Sequence, residues 1–349
     1  MNCQRCSTIP TTELKDVQVY LQIPTKHHLE PFKNLLVNNS LLFQGFDDGF
    51  IIQAPDFQRF IEVLEEQSFY QLEQQDIMIL PLLEGESLTL ATLKRHKSLK
   101  EWLNLYNGKV LLDVLEHKRL KIMFHPIVNP VSKEIYGYEA LTRGIDEQGE
   151  AIPPTALFQM ARDLDLLFYL DRLCRETIIQ RAAEEGITKK LFINFIPTSI
   201  YDPEKCLKST DEAIMKYGLK PEQVVFEVVE TEQVKDFDHL NYILDYYKRK
   251  GYSTALDDIG SGYSSTSSLL ALNPDYMKID MALVRNIHHD HEKQMILQEY
   301  VNVANMKNIR VLAEGIEQFE ELTYLRTLDI DLMQGYYFAK PSTTPLLTL

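Results

Sequence analysis

The chain has 349 residues, 45% apolar and 25% charged, which are the proportions of folded globular protein and exclude disorder as a main theme. Its formal net charge of −15 supplies no basic field for a long polyanion, so long nucleic acid is excluded as a partner, while a small anion that recruits cations locally is not. No apolar run approaches the roughly 20 residues that span a bilayer, and the start Met1-Asn2-Cys3-Gln4-Arg5-Cys6 has no signal-peptide core, so a cytoplasmic protein without a membrane span is expected.

Cys3 and Cys6 form a CxxC, but no second ligand pair of zinc spacing follows. Two reduced thiols are expected there, and Cys174 and Cys206, in apolar contexts, read as packing residues. Residues 1–92 then predict a small α+β domain. Its elements are a strand (Val17 to Ile23), a helix (Leu29 to Val37), two strands (Leu41 to Phe46, Phe50 to Gln53), a helix (Phe57 to Glu66) and a strand (Ile77 to Leu82). Asp47-Asp48-Gly49 suits a hairpin turn, and the order βαββαβ is that of a ferredoxin-like sandwich. Residues 93–119 read as a helical connector, in two stretches from Leu93 to Tyr106 and from Val110 to Arg119.

Residues 120–349 alternate short β-rich runs with amphipathic segments. The strand candidates are Met123–Val128, Tyr136–Leu141, Leu191–Phe195, Val224–Val229, Ser253–Asp257, Tyr276–Ile279, Val311–Ala313 and Met333–Phe338. Leu240, Ile243, Leu244 and Tyr247 recur at helical spacing, and Gly251 closes that helix. Eight strands interleaved with helices over this length predict an α/β fold of the (β/α)8 TIM-like barrel type. A doubly wound sheet would also alternate, but no GxGxxG follows an early strand.

Polar residues cluster at the ends of these strands. Glu139, Asn194, Glu227 with Glu230, Asp257 with Asp258, Lys278 with Asp280, and Glu314 with Glu317 close successive strands, and Gln334 sits in the last. Strand C-termini converge on the face that carries barrel active sites. Carboxylates gathered there repel one another unless cations offset them. Oxygen ligands with one amide select hard cations, Mg²⁺ or Mn²⁺, and the lack of HExxH or a Cys/His cluster disfavours zinc. Adjacent Asp257 and Asp258, followed by Ile259-Gly260-Ser261-Gly262-Tyr263-Ser264-Ser265, can serve two neighbouring ions, with the glycines allowing a tight turn.

This set resembles the EAL-domain cyclic-di-GMP phosphodiesterases. The naming motif is Glu139-Ala140-Leu141, continued by Thr142-Arg143. The other elements are Asp257 to Ser265, Lys278-Ile279-Asp280, Ala313-Glu314-Gly315-Ile316-Glu317, and Gln334-Gly335-Tyr336 with Lys340-Pro341, in the family's order over about residues 120–345. The resemblance implies cyclic di-GMP as substrate and linear pGpG as product. It implies one metal on Glu139, Asn194, Glu227 and Asp257 and a second on Asp257, Asp258 and Glu314, about 3.5–4 Å apart, with a bridging water attacking phosphorus. Lys278 would position that water or neutralise phosphate charge, staying protonated among the carboxylates. Glu314 is the better proton acceptor. Glu230 would brace the loop after Asp257, and Arg143 would grip a phosphate. Leu141 and His125 would contact the substrate, and Glu317 and Gln334 would complete the pocket. Ca²⁺ is expected to inhibit, and a homodimer is expected near the loop after the paired aspartates.

Four positions depart from the family pattern. Ile259 replaces Phe, His125 replaces the Gln of Gln-Pro-Ile-Val, Val228-Val229 stands between Glu227 and Glu230, and Thr142 replaces Leu. None removes a ligand; His125 bears on contacts to a guanine. The competing functions are a catalytically inactive cyclic-di-GMP receptor and a different metal phosphodiesterase on the same barrel. In the N-terminal domain, Leu42-Phe43, Gly45 and Phe50 to Gln53 resemble the strand pair of flavin-binding blue-light sensor domains, with Tyr20 and Gln53 as the photochemical pair. A ligand sensor or a dimerisation module are the alternatives.

Overall fold

The computed structural model describes residues 14–67, 69–200, 202–229, 237–260, 272–328 and 330–349. The CxxC, Glu230 and the segment Ser261 to Ser265 lie outside these residues. The chain divides into two units. One takes in residues 119–154 and 167–349; the other takes in the described residues up to 118 together with 155–166. The helix Leu99–Asn107, read as part of a connector, therefore belongs to the N-terminal unit, where Asn104 donates to the carbonyl of Asp163 at 3.2 Å.

The N-terminal unit is built on β1 (Lys15–Gln22), β2 (Leu42–Phe46), β3 (Gly49–Asp56), β4 (Met78–Leu82) and β5 (Lys97–Ser98), in the order β2-β3-β1-β4-β5 with every pairing antiparallel. The order of the first four is that of the expected ferredoxin-like sheet, and β5 adds a short edge. Only Asp47 and Asp48 join β2 to β3. Gly49 is required at that turn, because a Cβ there would strike the carbonyl of Leu21 on the paired strand. Strand alternation then assigns the faces. Val17, Val19, Leu21, Ile52 and Ala54 point into a buried aliphatic layer. Tyr20 and Gln53 have the opposite parity. Gln53 is exposed, and the Tyr20 hydroxyl donates to Gln18 at 3.1 Å. The two members of the flavin pair read from the sequence therefore share the face of the sheet away from the buried layer.

The C-terminal unit is a closed barrel of eight strands: β6 (Leu120–Val128), β7 (Ile135–Ile145), β9 (Lys190–Phe195), β10 (Val224–Val229), β11 (Ser253–Ile259), β12 (Tyr276–Ile279), β13 (Arg310–Ala313) and β14 (Leu332–Met333). The short β8 (Ala151–Ile152) pairs outside the ring on β7. Each strand candidate from the sequence falls on one of the eight, with two corrections. First, β6 runs antiparallel to both neighbours, β7 and β14, so the barrel is not eight parallel strands. The connection from Val128 to Ile135 is too short for a parallel crossover, which needs about a dozen residues, and a hairpin is what it can form. Second, the last strand ends at Met333, so Gln334 follows it instead of lying within it.

Helices Leu167–Glu184, Lys208–Tyr217, Phe237–Arg249, His291–Lys307 and Phe319–Arg326 return the chain between strands. Their apolar stripes and the outward faces of the strands form one large buried cluster, including Leu240, Ile243, Leu244 and Tyr247. The interior of the barrel holds a second, separate cluster of Ile127, Phe192, Val225, Ala255, Tyr276, Leu312 and Leu332, with Tyr136 packed against it.

Candidate metal and substrate site

The site is the next interior layer above that second cluster. Side chains on a strand return to the same face every two residues. Two residues beyond Phe192, Val225, Ala255, Tyr276, Leu312 and Leu332 come Asn194, Glu227, Asp257, Lys278, Glu314 and Gln334. On the reversed strand β6, two residues before Ile127 comes His125, directly opposite Glu139 of β7. Ladder bonds hold the last two positions: Glu314 N donates to Ile279 O at 3.1 Å and Gln334 N to Ala313 O at 2.9 Å.

Lys278 stands at the centre of the layer with no exposed surface. Its Nζ lies 2.8 Å from Glu227, 2.9 Å from Glu314, 3.0 Å from Asp257 and 3.5 Å from Glu139. Burial opposes charge on Lys278, but the four carboxylates outweigh it and hold its pKa well above the ordinary lysine value. Burial, with neighbouring carboxylates, drives Glu227 and Glu314 well above the usual carboxylate range and raises Asp257. Burial opposes charge on Glu139 as well, but Lys278, His125 and a 3.1 Å bond from Gln334 Nε2 outweigh it and lower its pKa. Among the described residues Glu227 Oε2 is buried without a hydrogen-bond partner, while Glu227 Oε1 and Glu314 Oε1 are buried against the Lys278 ammonium.

Asp258 reaches this environment through a break in β11. The register with β12 shifts between Leu256 and Ile259, and Asp258 takes a left-handed φ of 58°. A regular strand would turn Asp258 to the outer face. Instead burial, then the charge of Asp257, pushes its pKa up to about 6.

The donor set tests well against hard cations. Five carboxylates (Glu139, Glu227, Asp257, Asp258, Glu314) face one ammonium, leaving the four negative charges that two divalent ions would offset. Asn194, half-buried and paired in register with Glu227, adds a neutral oxygen. Among the described residues, however, no three Asp, Glu, His or Cys groups converge on one point as ligands of an ion do; the convergence is on Lys278 Nζ.

The positions read from the sequence as substrate contacts flank this layer. Leu141 and Arg143 share the face of β7 that carries Glu139, each two residues further on, and both are partly exposed. Arg143 Nη1 donates to Thr142 O at 2.8 Å. His125 is buried, with Nε2 3.2 Å from Ala339 O and its ring edge-on to Tyr336. Burial, ahead of the opposing pull of Glu139, keeps its pKa below the ordinary histidine value.

Two acidic positions of the motifs do other work. Asp280 caps the helix Met281–Val284 through Ala282 N, and Glu317 pairs with Arg285 at 2.8 Å, half-exposed. The loop of Glu314 to Gln318 is instead anchored by Glu321. This fully buried carboxylate accepts from Asn286 N, Glu317 N and Gln318 N at 3.0, 3.0 and 3.1 Å. The sequence reading passed over Glu321, although Gln318-Phe319-Glu320-Glu321 at a helix start has the spacing of a capping box.

The sequence model of the EAL domain matches residues 109–341. The chain belongs to the EAL-domain family. Among its relatives is the cyclic di-GMP phosphodiesterase PdeF of Escherichia coli (strain K12), 30% identical over 234 residues, which are 66% of this chain and 31% of PdeF. The chain thus corresponds to about a third of that relative's length. A standalone versatile EAL protein from Vibrio cholerae O395, solved with c-di-GMP bound, is 41% identical over 64% of this chain and 92% of its own, with a TM-score of 0.58. Klebsiella pneumoniae BlrP1, solved as a calcium/cy-diGMP complex, covers 96% of this chain and 98% of its own at 22% identity and a TM-score of 0.60, a likeness of fold over both units. In this EAL domain, none of the described helices is long and apolar enough to cross a membrane.

Proposed function

We propose that the chain hydrolyses cyclic di-GMP to linear pGpG in this interior layer. The observation that carries the reading is the buried ring of carboxylates around Lys278, in a chain of the EAL family. When bound, two divalent cations, Mg²⁺ or Mn²⁺, held by Glu139, Asn194, Glu227, Asp257, Asp258 and Glu314, supply Lewis-acid charge and a more acidic water. Lys278 keeps its proton and places positive charge beside the phosphate. Glu314, a buried carboxylate held well above the usual range, accepts the proton of the attacking water. The water oxygen joins phosphorus, the P–O3′ bond breaks, and a proton passes to the departing sugar oxygen. Arg143 holds a non-bridging phosphate oxygen, and Gln334 fixes the orientation of Glu139. Leu141 and His125 border the base, and Glu317 acts only through the loop that Glu321 anchors.

One observation favours a second reading, binding without turnover: the described carboxylates point at Lys278 Nζ and not at a common ion position. Assay of cyclic di-GMP with Mg²⁺ or Mn²⁺, comparing the wild type with Glu139→Ala, separates the two. The hydrolase reading expects pGpG from the wild type and a loss of several orders of magnitude in the variant. Tight binding with no product under either metal would make the domain a receptor.

A further inference from the structure

The opposite mouth of the barrel concentrates charge of the other sign. A cavity of about 590 Å³ opens there, bordered by Tyr136, Lys190, Lys248, Tyr276, Lys307 and Arg310. Its size suits a small ligand. Lys190, Tyr276 and Arg310 are the first residues of β9, β12 and β13, while Lys248 and Lys307 lie in the last turns of the helices that precede β11 and β13. Strand starts converge at this end as strand ends converge at the other, which gathers cations far apart in sequence.

The helix dipole accounts for Lys248 and Lys307 one at a time. It does not account for Lys190 and Arg310. Among the described residues none of the four makes an ion pair with a carboxylate: Lys190 Nζ donates to Glu222 O at 2.7 Å and to Ser253 Oγ at 3.3 Å, Lys248 Nζ to Asn273 O at 2.8 Å, and Arg310 Nη1 to the Tyr136 hydroxyl at 2.7 Å. The one carboxylate bordering the cavity, Asp275, is engaged with Thr254 N and Oγ1 at 2.8 and 3.2 Å. Burial, and then the charge of Arg310, hold Lys190 below the ordinary lysine pKa. The guanidinium is fixed in place over two rings, 5.7 Å from the Tyr136 centroid and 6.0 Å from that of Tyr276, whose hydroxyls are bonded at 2.5 Å. Four cations against one carboxylate leave a surplus of three positive charges, more than the roughly two negative charges of one phosphate group. This stands out in a chain of net charge −15.

We infer that the N-terminal mouth of the barrel binds a small anion bearing at least two phosphate groups, held by Lys190, Lys248, Lys307 and Arg310. Inorganic pyrophosphate and a nucleoside diphosphate share that chemistry. Calorimetric titration of the full chain, in EDTA to keep divalent ions from the other mouth, tests it with sodium pyrophosphate and with guanosine diphosphate in parallel. Saturable binding of at least one probe is expected, weakening as salt rises. It should fall about tenfold in Arg310→Gln and in Lys307→Gln and persist in Arg143→Ala at the opposite mouth. Binding of pyrophosphate would identify the phosphate chain as sufficient; binding of guanosine diphosphate alone would add the nucleoside to the recognised group. Lys307 is exposed, so its replacement leaves the fold intact if loss of Arg310 disturbs the tyrosine pair. No binding of either probe, or binding unchanged in Lys307→Gln, or binding lost in Arg143→Ala, would overturn the assignment.

Discussion

Two layers of side chains lie one above the other inside the barrel, two residues apart along each strand, and they are opposite in chemistry. The lower layer, from Ile127 round to Leu332, is apolar and fills the space completely enough to be buried throughout. The upper layer places Glu139, Glu227, Asp257 and Glu314 around one lysine. The backbone geometry is the same in both; only the residues differ. The lower layer stabilises by removing apolar surface from water. The upper layer costs free energy, because burial of several like charges is offset by a single ammonium. A barrel interior can thus hold a charged site at one level while the level beneath it closes the barrel with apolar side chains, the one hydroxyl there, of Tyr276, being bonded to that of Tyr136.

The contrast is sharpened most by Lys278→Met. Removing the one cation from the buried ring should cost the metal-free protein about 3–5 kcal/mol. The melting temperature in EDTA would fall, and Mg²⁺ or Mn²⁺ would restore more stability than it adds to the wild type. An unchanged melting temperature in EDTA would show that the upper layer tolerates its charges without Lys278.

Phe192→Ala probes the lower layer. It should also cost about 3–5 kcal/mol, through lost burial and a cavity. Turnover of cyclic di-GMP measured well below the melting temperature should stay near the wild-type value. A large fall in turnover would mean that the two layers are mechanically coupled and the comparison fails.

The smallest effect belongs to Glu321→Gln, which costs about 1–3 kcal/mol by weakening a charged acceptor of three backbone N–H groups. Burial opposes the charge of Glu321, but those N–H bonds and Arg285 outweigh it and lower its pKa from the model-peptide value of 4.5. A lowered folded-state pKa contributes stability that is present above 4.5 and is lost as acid brings the pH below it. The variant should therefore show a shallower loss of stability below that pH in urea titrations, with both proteins sharing the same slope above it.

Much of this was readable in the residues, because a barrel interior writes itself as a period of two. Phe192 with Asn194, Val225 with Glu227 and Leu312 with Glu314 repeat one step, apolar then polar; Glu227, Asp257 and Glu314 fell near strand ends as expected, whereas Glu139 lies mid-strand because β7 runs on to Ile145. What escaped has identifiable causes. The reversal of β6 is encoded in the length of one connection, Val128 to Ile135, and not in the pattern of β6 itself. Asp258 owes its position to a left-handed residue within a strand, which no alternation rule anticipates. Glu321 reads as one more acid of an exposed helix start and is buried only because the loop of Glu317 folds over it. Tyr20 and Gln53 show the converse: a suggestive pair of residue types, put on the other face of the sheet from the buried layer by parity alone.

The reversed first strand also fixes how the ring is fastened. β6 zips to β7 through nine register pairs but meets β14 through one, Met333 with Val128, reinforced by a bridge between Phe124 and Ser342. The two sides of that seam come from opposite ends of the domain, so closure waits until nearly all of it has been made and brought together, a step of high contact order. With one register pair the seam is the shortest pairing in the ring, and faster hydrogen exchange at Met333 and Val128 than along the rest of β6 and β7 is the expected outcome. His125 lies on one side of it and Gln334 on the other, so the same loosening that frees the seam parts two neighbours of the buried carboxylate layer.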